Sequence, residues 1–205
     1  MNVLNESTEE KNTIIFKRQR LKYLSEGAFA EIHVGKSING KLYAIKSIFP
    51  RPWHNIHSTL NKIFFLELMN EKKLHMDFYY SLQIRHRKYF VKPYHVMYLG
   101  ESKINQKSFA MDLVPNGVSA YYHLDTLYHN HDVDAIQIII KRIQEAIYIM
   151  WVYGVIHTDL HLENILINTK TNMPRIIDFG LSFKVRKQIP MKINNINNIK
   201  DLSII

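Results

Sequence analysis

Apolar and polar residues alternate over short stretches in the first half of the chain, the period of two that marks strands with one buried face. Residues 14–24 and 30–37 read as the first two strands. Asn39-Gly40 links the second to Leu42-Tyr43-Ala44-Ile45-Lys46. Asn-Gly between two such runs predicts a hairpin with a type I′ turn, which needs positive φ at both central residues. Pro50 and Pro52 interrupt regular structure, and residues 60–78 then change to helical spacing. Residues 90–99 and 108–114 are two further strand candidates, the second ended by Pro115-Asn116-Gly117. The expectation for this half is a five-stranded sheet with one helix.

Near residues 115–119 the pattern changes from β-rich to helical. Asp132 or Asp134 is placed to cap a helix whose apolar face is Ile136, Ile140, Ile143, Ile147 and Met150, with Gly154 as its end. Trp151 and the isoleucines are assigned to the core. His123, His129 and His131 fall in what reads as a polar loop before that helix, which accounts for them more simply than a metal site. Residues 165–167 and 175–177 flank a turn at 169–172 and form a second hairpin. The expected division is a polar tail (1–13), a β-rich lobe (14–114), a small helical lobe (115–182) and a basic, Asn/Ile-rich end (183–205).

Composition narrows the class. With 205 residues, 46% of them apolar, the chain can build one sizeable core or two small lobes sharing a cleft. No run approaches the roughly 18 apolar residues of a membrane span, and the start is polar. A soluble protein of the cytoplasm, or of a host's cytoplasm, is therefore expected. The absence of cysteine excludes disulfides and thiolate metal sites. A net charge of +9 favours polyanionic partners such as ATP, acidic proteins or nucleic acid, although no motif supports the last.

The candidate chemistry lies in the second half: His157-x-Asp159, Asn164 five residues after that Asp, then the hairpin and Asp178-Phe179-Gly180. Asp159 and Asn164 stand at the ends of a loop before the hairpin, and Asp178 ends its second strand, so all three can face one cleft. Clustered oxygen donors of this kind suit Mg²⁺, which is held by few protein oxygens together with phosphate.

With these residues in place, residues 24–182 resemble the eukaryotic-type protein kinases. The loop His157-Thr158-Asp159-Leu160-His161-Leu162-Glu163-Asn164 agrees at five of eight positions with H-R-D-L-K-P-E-N. The resemblance implies an α+β, protein-kinase-like fold: a β-rich N-lobe with one helix and a minimal helical C-lobe. It also implies that Mg²⁺ and ATP bind between the halves. Asp159 would serve the acceptor hydroxyl, and Asn164 and Asp178 would hold metal. Phe179 and His157 would pack beneath the site. Tyr43-Ala44-Ile45-Lys46 is similar to V-A-I-K, whose lysine neutralises phosphate charge.

The phosphate-covering loop would be Ser25-Glu26-Gly27-Ala28-Phe29-Ala30, where only Gly27 remains of three glycines and Ser25 and Ala30 replace the others. The carboxylate partner of Lys46 is Glu67 or Glu71. Glu71 is preferred, because it leaves His75 rather than a glutamate in the apolar place one turn below. Met111, Asp112 and Val114 would line the adenine-binding hinge through the Asp112 carbonyl and the Val114 amide. Ile32, Ala44 and Leu166 would sandwich the ring.

Several positions depart from the family pattern. Thr158 replaces the arginine that in many kinases pairs with an activation-loop phosphate. His161 replaces a lysine, as in kinases resembling the aminoglycoside phosphotransferases. Only 25 residues follow Gly180, and they contain no A-P-E. Ile177-Asp178-Phe179-Gly180-Leu181-Ser182 is similar to the corresponding run in the small atypical kinase of the tRNA threonylcarbamoyl-adenosine machinery. A compact kinase from a large DNA virus also suits the composition. Three functions stay open at this level: a Ser/Thr protein kinase, an atypical kinase or ATPase in a tRNA-modification-type complex, and a kinase-derived binding module. The expected partners are a protein substrate and either a second protein or a second copy of the chain.

Overall fold

The computed structural model of the chain describes residues 12–17, 22–26, 30–48 and 58–185. Its first half is a six-stranded sheet in the order β1-β5-β6-β4-β3-β2. The strands are β1 (Thr13–Phe16), β2 (Lys22–Glu26), β3 (Ala30–Lys36), β4 (Leu42–Ile48), β5 (Pro93–Tyr98) and β6 (Asn105–Asp112). The expected single strand over residues 14–24 is in fact two. β1 runs parallel to β5 at one edge, and β2 pairs antiparallel with β3 at the other. The cause is legible afterwards: Lys17-Arg18-Gln19-Arg20 offers no apolar residue, so no buried face continues through it.

The β3–β4 turn also differs from its type I′ expectation. Within Ser37–Lys41 positive φ falls on Gly40 alone, at 83°. The Gly40 amide donates to the Ser37 carbonyl and the Ser37 amide to the Lys41 carbonyl. This is a longer loop with one left-handed residue, a position that glycine occupies without steric cost.

Alternation along β4 divides its side chains between two cores. Tyr43 and Ile45 join Phe16, Tyr94, Val96 and Ala110 on the outer face of the sheet. Ala44 and Ile48 pack on the other face, with Ala30, Leu68, Val91, Phe109 and Met111. Lys46 lies in register between them and is carried to the same inner side. Across that side runs helix α1 (Ser58–Ser81), longer than the expected 60–78. A 3₁₀ turn (Ile84–Tyr89) then leads into β5.

The second half contains β7 (Gly117–Ser119), α2 (Ala120–His129), α3 (Val133–Val152), β8 (Val155–Ile156), a 3₁₀ turn (Leu162–Asn164), β9 (Ile165–Asn168), β10 (Met173–Ile176) and β11 (Phe183–Lys184). β9 and β10 form the expected hairpin, and β7, which the pattern did not show, pairs with β9. The polar loop expected around His123 and His129 is instead helix α2, opened by the Ser119 side chain accepting from the Tyr122 amide. Its face Ala120, Leu124 and Leu127 reaches the core, which a count dominated by Tyr and His conceals.

Asp132 caps α3 by accepting from the Ala135 amide, and Gly154 follows its end with φ 70°. The apolar face assigned to α3 needs correction. Ala135, Ile139, Ala146, Ile149 and Met150 are buried, whereas Ile140, Ile147 and Trp151 are exposed. Fourteen of its twenty positions are apolar or aromatic, a wider arc than the packed face, so periodicity alone does not select that face. The small Ala135 and Ala146 do, because they let the helix approach closely. No helix among the described residues is long and apolar enough to cross a membrane.

Candidate active site

Strand β4 delivers Lys46 and helix α1 delivers Glu71, both almost wholly buried. The Lys46 ammonium lies 2.8 Å from both Glu71 oxygens and 2.9 Å from Asp178 Oδ1. Glu71 is therefore the residue that pairs with Lys46. Glu67, one turn earlier, forms no ion pair with it and leaves Oε2 buried without a hydrogen-bond partner.

Burial opposes the charge of Lys46, but the two carboxylates outweigh it and hold the ammonium above its ordinary value. Asp178 shows the complementary balance: burial raises it, and Lys46 with the Gly180 amide more than offsets this and keeps it below the usual carboxylate value. Glu71 goes the other way, pushed up to about 6 by burial, with Asp178 adding repulsion and Lys46 offsetting only part. Two carboxylates share one cation here, and the more deeply buried of them bears the cost.

Asp178 has φ 60°, a left-handed conformation that aspartate tolerates better than most residues. Its Oδ1 accepts from the Gly180 amide at 3.2 Å. A β-carbon at residue 180 would lie 3.1 Å from that oxygen, so any larger residue there would press the Asp178 carboxylate aside by a few tenths of an ångström. Beneath, Phe179 is fully buried, stacked on His75 at 4.6 Å and tilted against His157 at 5.2 Å. His75 donates its Nε2–H to the Val91 carbonyl at 2.9 Å, and its apolar surroundings push its pKa down to about 3. It is a neutral filler of an aromatic stack.

The loop after β8 is laced together locally. Asn164 Nδ2 donates to the Asp159 carbonyl at 2.9 Å and to Asp159 Oδ2 at 3.3 Å, and lies 3.0 Å from His161 Nε2. The amide nitrogen of Asn164 is thus committed inward, which leaves Oδ1 as its available acceptor. The Ile177 amide donates to the Asn164 carbonyl at 3.0 Å and ties this loop to the approach of Asp178. Asp159 itself is about half exposed, open to an incoming group. Glu163 is solvated, at 66% exposure.

Of the other residues singled out from the sequence, Ile32 stands opposite Lys46 in the β3–β4 register and Ala44 opposite Met111 in the β4–β6 register. Val114 packs beside Ala44. The Asp112 carboxylate turns to the outer face, accepting from Lys41 at 2.8 Å and Tyr94 at 3.1 Å. Leu166 alternates with the buried Ile165 and Ile167 and occupies the opposite face of β9. Ser25 is exposed on β2, and Ala30 is buried at the start of β3. Gly27, Ala28 and Phe29 lie outside the described residues.

His123 is 3.0 Å from Asn172 Oδ1, and His129 closes the last turn of α2 on the Asp125 carbonyl. Among the described residues no group of three or more His, Asp or Glu is placed to hold a metal ion by itself. Asn164 Oδ1 and the second oxygen of Asp178 nevertheless fit the small protein share of a Mg²⁺ shell. What the sequence did not flag is the set of side chains that join the two loops: the hydroxyls of Thr158 and Ser182, described below.

The family model of the protein kinase domain matches residues 18–197. No curated protein matches the chain. A buried lysine on the sheet, held by a helix carboxylate and a second carboxylate, is thus set in a chain matched over most of its length, and the protein belongs to the protein kinase domain family.

Proposed function

We propose that this chain is a Mg²⁺-dependent Ser/Thr protein kinase that transfers the γ-phosphate of ATP to a protein hydroxyl. The observation that carries this reading is the Lys46 ammonium held between Glu71 and Asp178 at 2.8 and 2.9 Å. A cation oriented by two carboxylates is preorganised for phosphate oxygens, with little reorganisation left for the moment of binding. Lys46 binds those oxygens, and Ile32, Ala44 and Leu166 enclose the adenine, which meets the backbone of Asp112 and Val114 beyond Met111. Ser25, Gly27, Ala28, Phe29 and Ala30 cover the phosphates.

Asn164 and Asp178 hold the metal. A Mg²⁺ ion held by these two residues would neutralise phosphate charge. Asp159 orients the acceptor hydroxyl and accepts its proton as the oxygen bonds to the γ-phosphorus and the bond from that phosphorus to the β-phosphate oxygen breaks, so that ADP leaves. Asn164 holds the carboxylate of Asp159 in place for this.

Mg²⁺-ATP at 100 times its dissociation constant is expected to stabilise the protein by roughly 2.7 kcal/mol. Lys46→Ala and Asp178→Asn should lose most of that gain in a thermal melt. An unchanged melt for the unsubstituted protein at millimolar Mg²⁺-ATP would favour a binding module instead.

We further propose a partner protein or a second copy against α3, whose outward Ile140, Ile147 and Trp151 form an apolar stripe. The apolar residues between 189 and 204 lie outside the described residues. Light scattering that shows a monomer of full activity at micromolar concentration would exclude this arrangement.

A further inference from the structure

Three hydrogen bonds lace the loop carrying Asp159 to the segment carrying Asp178. His157 Nε2 meets the Ile177 carbonyl at 2.9 Å, Thr158 Oγ1 donates to the Leu181 carbonyl at 2.6 Å, and Ser182 Oγ donates to the His157 carbonyl at 3.2 Å. The first bond is made from a buried ring, whereas Thr158 is exposed and contributes little to the core. Two backbone bonds continue the seam: β11 pairs with β8 through Phe183 and Ile156, and the Val185 amide donates to the Gly154 carbonyl at 2.7 Å.

A second, independent feature falls on the same residue. Thr158 has φ 58°, and for a β-branched side chain that region is a true outlier. A strained backbone persists only where its surroundings over-determine it. The short Oγ1 bond, with the Asp159 amide donating to the His157 carbonyl at 2.8 Å, supplies that determination. Asp178, at the other end of the lace, is also left-handed, with φ 60°. The strained Thr158 is thus bonded to Leu181, three residues after the left-handed Asp178.

We infer that Thr158 is a positioning residue: its hydroxyl, through the Leu181 carbonyl, keeps Asp178 in register with Asp159. The inference rests on the kinase reading above, and it assigns to this chain's own threonine the joining of the two loops. Thr158 acts through the segment it binds and touches neither nucleotide nor acceptor.

The test compares Thr158→Val, which keeps the branched shape and removes the hydroxyl, with Thr158→Ser, which keeps the hydroxyl. In the full chain, Thr158→Val is expected to lower kcat about tenfold, the effect of one lost hydrogen bond felt in the reacting geometry, with KM for Mg²⁺-ATP changed less than about threefold. Thr158→Ser should return kcat to within about threefold of the original. Hydrogen exchange reads the lace without turnover: the Ser182 and Val185 amides should exchange about tenfold faster in Thr158→Val and normally in Thr158→Ser. Unchanged exchange in Thr158→Val overturns the lace, and unchanged kcat with faster exchange overturns its positioning role. A loss in both variants alike means that the threonine is merely structural. If the unsubstituted chain turns over no ATP, the kinase reading fails and the positioning role falls with it, while exchange still decides whether the lace exists.

Discussion

Replacing Asp159 by asparagine is expected to lower phosphoryl transfer by about 10²-fold or more, while Mg²⁺-ATP binding changes by less than about threefold. The size follows from what the substitution removes. Asn164 can still hold residue 159 in place, because an amide oxygen accepts as a carboxylate oxygen does, so the loop geometry survives. What is lost is the ability to accept the proton of the acceptor hydroxyl. Asp159 is also the one carboxylate of the set that is not engaged by Lys46, since Glu71 and Asp178 both are. Single-turnover transfer to a Ser/Thr peptide mixture, measured beside equilibrium nucleotide binding, separates the two effects. Normal transfer by the Asp159→Asn protein would remove Asp159 from the proton-accepting role.

The second large effect is on stability in acid. The folded-state pKa of His75 is depressed to about 3, mainly by burial, so between pH 6.5 and 3 the unfolded chain binds a proton that the folded chain refuses. Its contribution is complete above pH 6.5 and falls by about 1.4 kcal/mol for each pH unit below it. Glu71 opposes this: its pKa is raised to about 6, so its protonation stabilises the fold as pH falls from 6 to 4.5, by about 2 kcal/mol in all. The two nearly cancel down to pH 4.5, below which only the histidine loss continues. His95, lowered to about 4 by burial and by Lys72, acts in the same direction as His75.

A loss of stability through the whole range from pH 6.5 to 3, lessened between pH 6 and 4.5 by Glu71, is therefore expected in urea denaturation. His75→Leu keeps an apolar filler against Phe179 and should make the loss between pH 6.5 and 4 smaller by about 3 kcal/mol. Parallel pH curves for the two proteins would show that His75 does not titrate in this way.

The readable parts of the sequence were those where a local rule decides. Asp132 announces a helix start by its side-chain oxygen, and the hairpin at residues 165–176 by two short apolar runs around a polar turn. The order of Lys46, Asp159, Asn164 and Asp178 pointed to the family because each motif constrains the spacing of the next. What failed were questions settled only by tertiary contact. On α3 the apolar residues cover a wider arc than the packed face, and the part that packs carries Ala135, Ile139, Ala146 and Ile149. The run at residues 14–24 broke because its two ends found different neighbours at opposite edges of the sheet. The hydroxyls of Thr158 and Ser182 carry no pattern at all, since a side chain that bonds a distant carbonyl leaves no periodic trace.

Helix α1 joins two bodies of packing, and this bears on how the chain could be switched. At its middle Glu71 holds Lys46, and Leu68, one turn earlier, sits against the sheet. At its far end Phe78, Tyr79 and Leu82 are embedded with α3, Ile165, Ile176 and Phe179. The helix thus works as a beam pinned at its middle and at its far end. Any swing that separates Glu71 from Lys46 must also withdraw Phe78 and Leu82 from their sockets, at about 1.5–3 kcal/mol for each large side chain exposed. An effector that turns this protein off by moving α1 would have to spend most of its binding energy on extraction, and a small molecule seated only near the ion pair lacks that leverage.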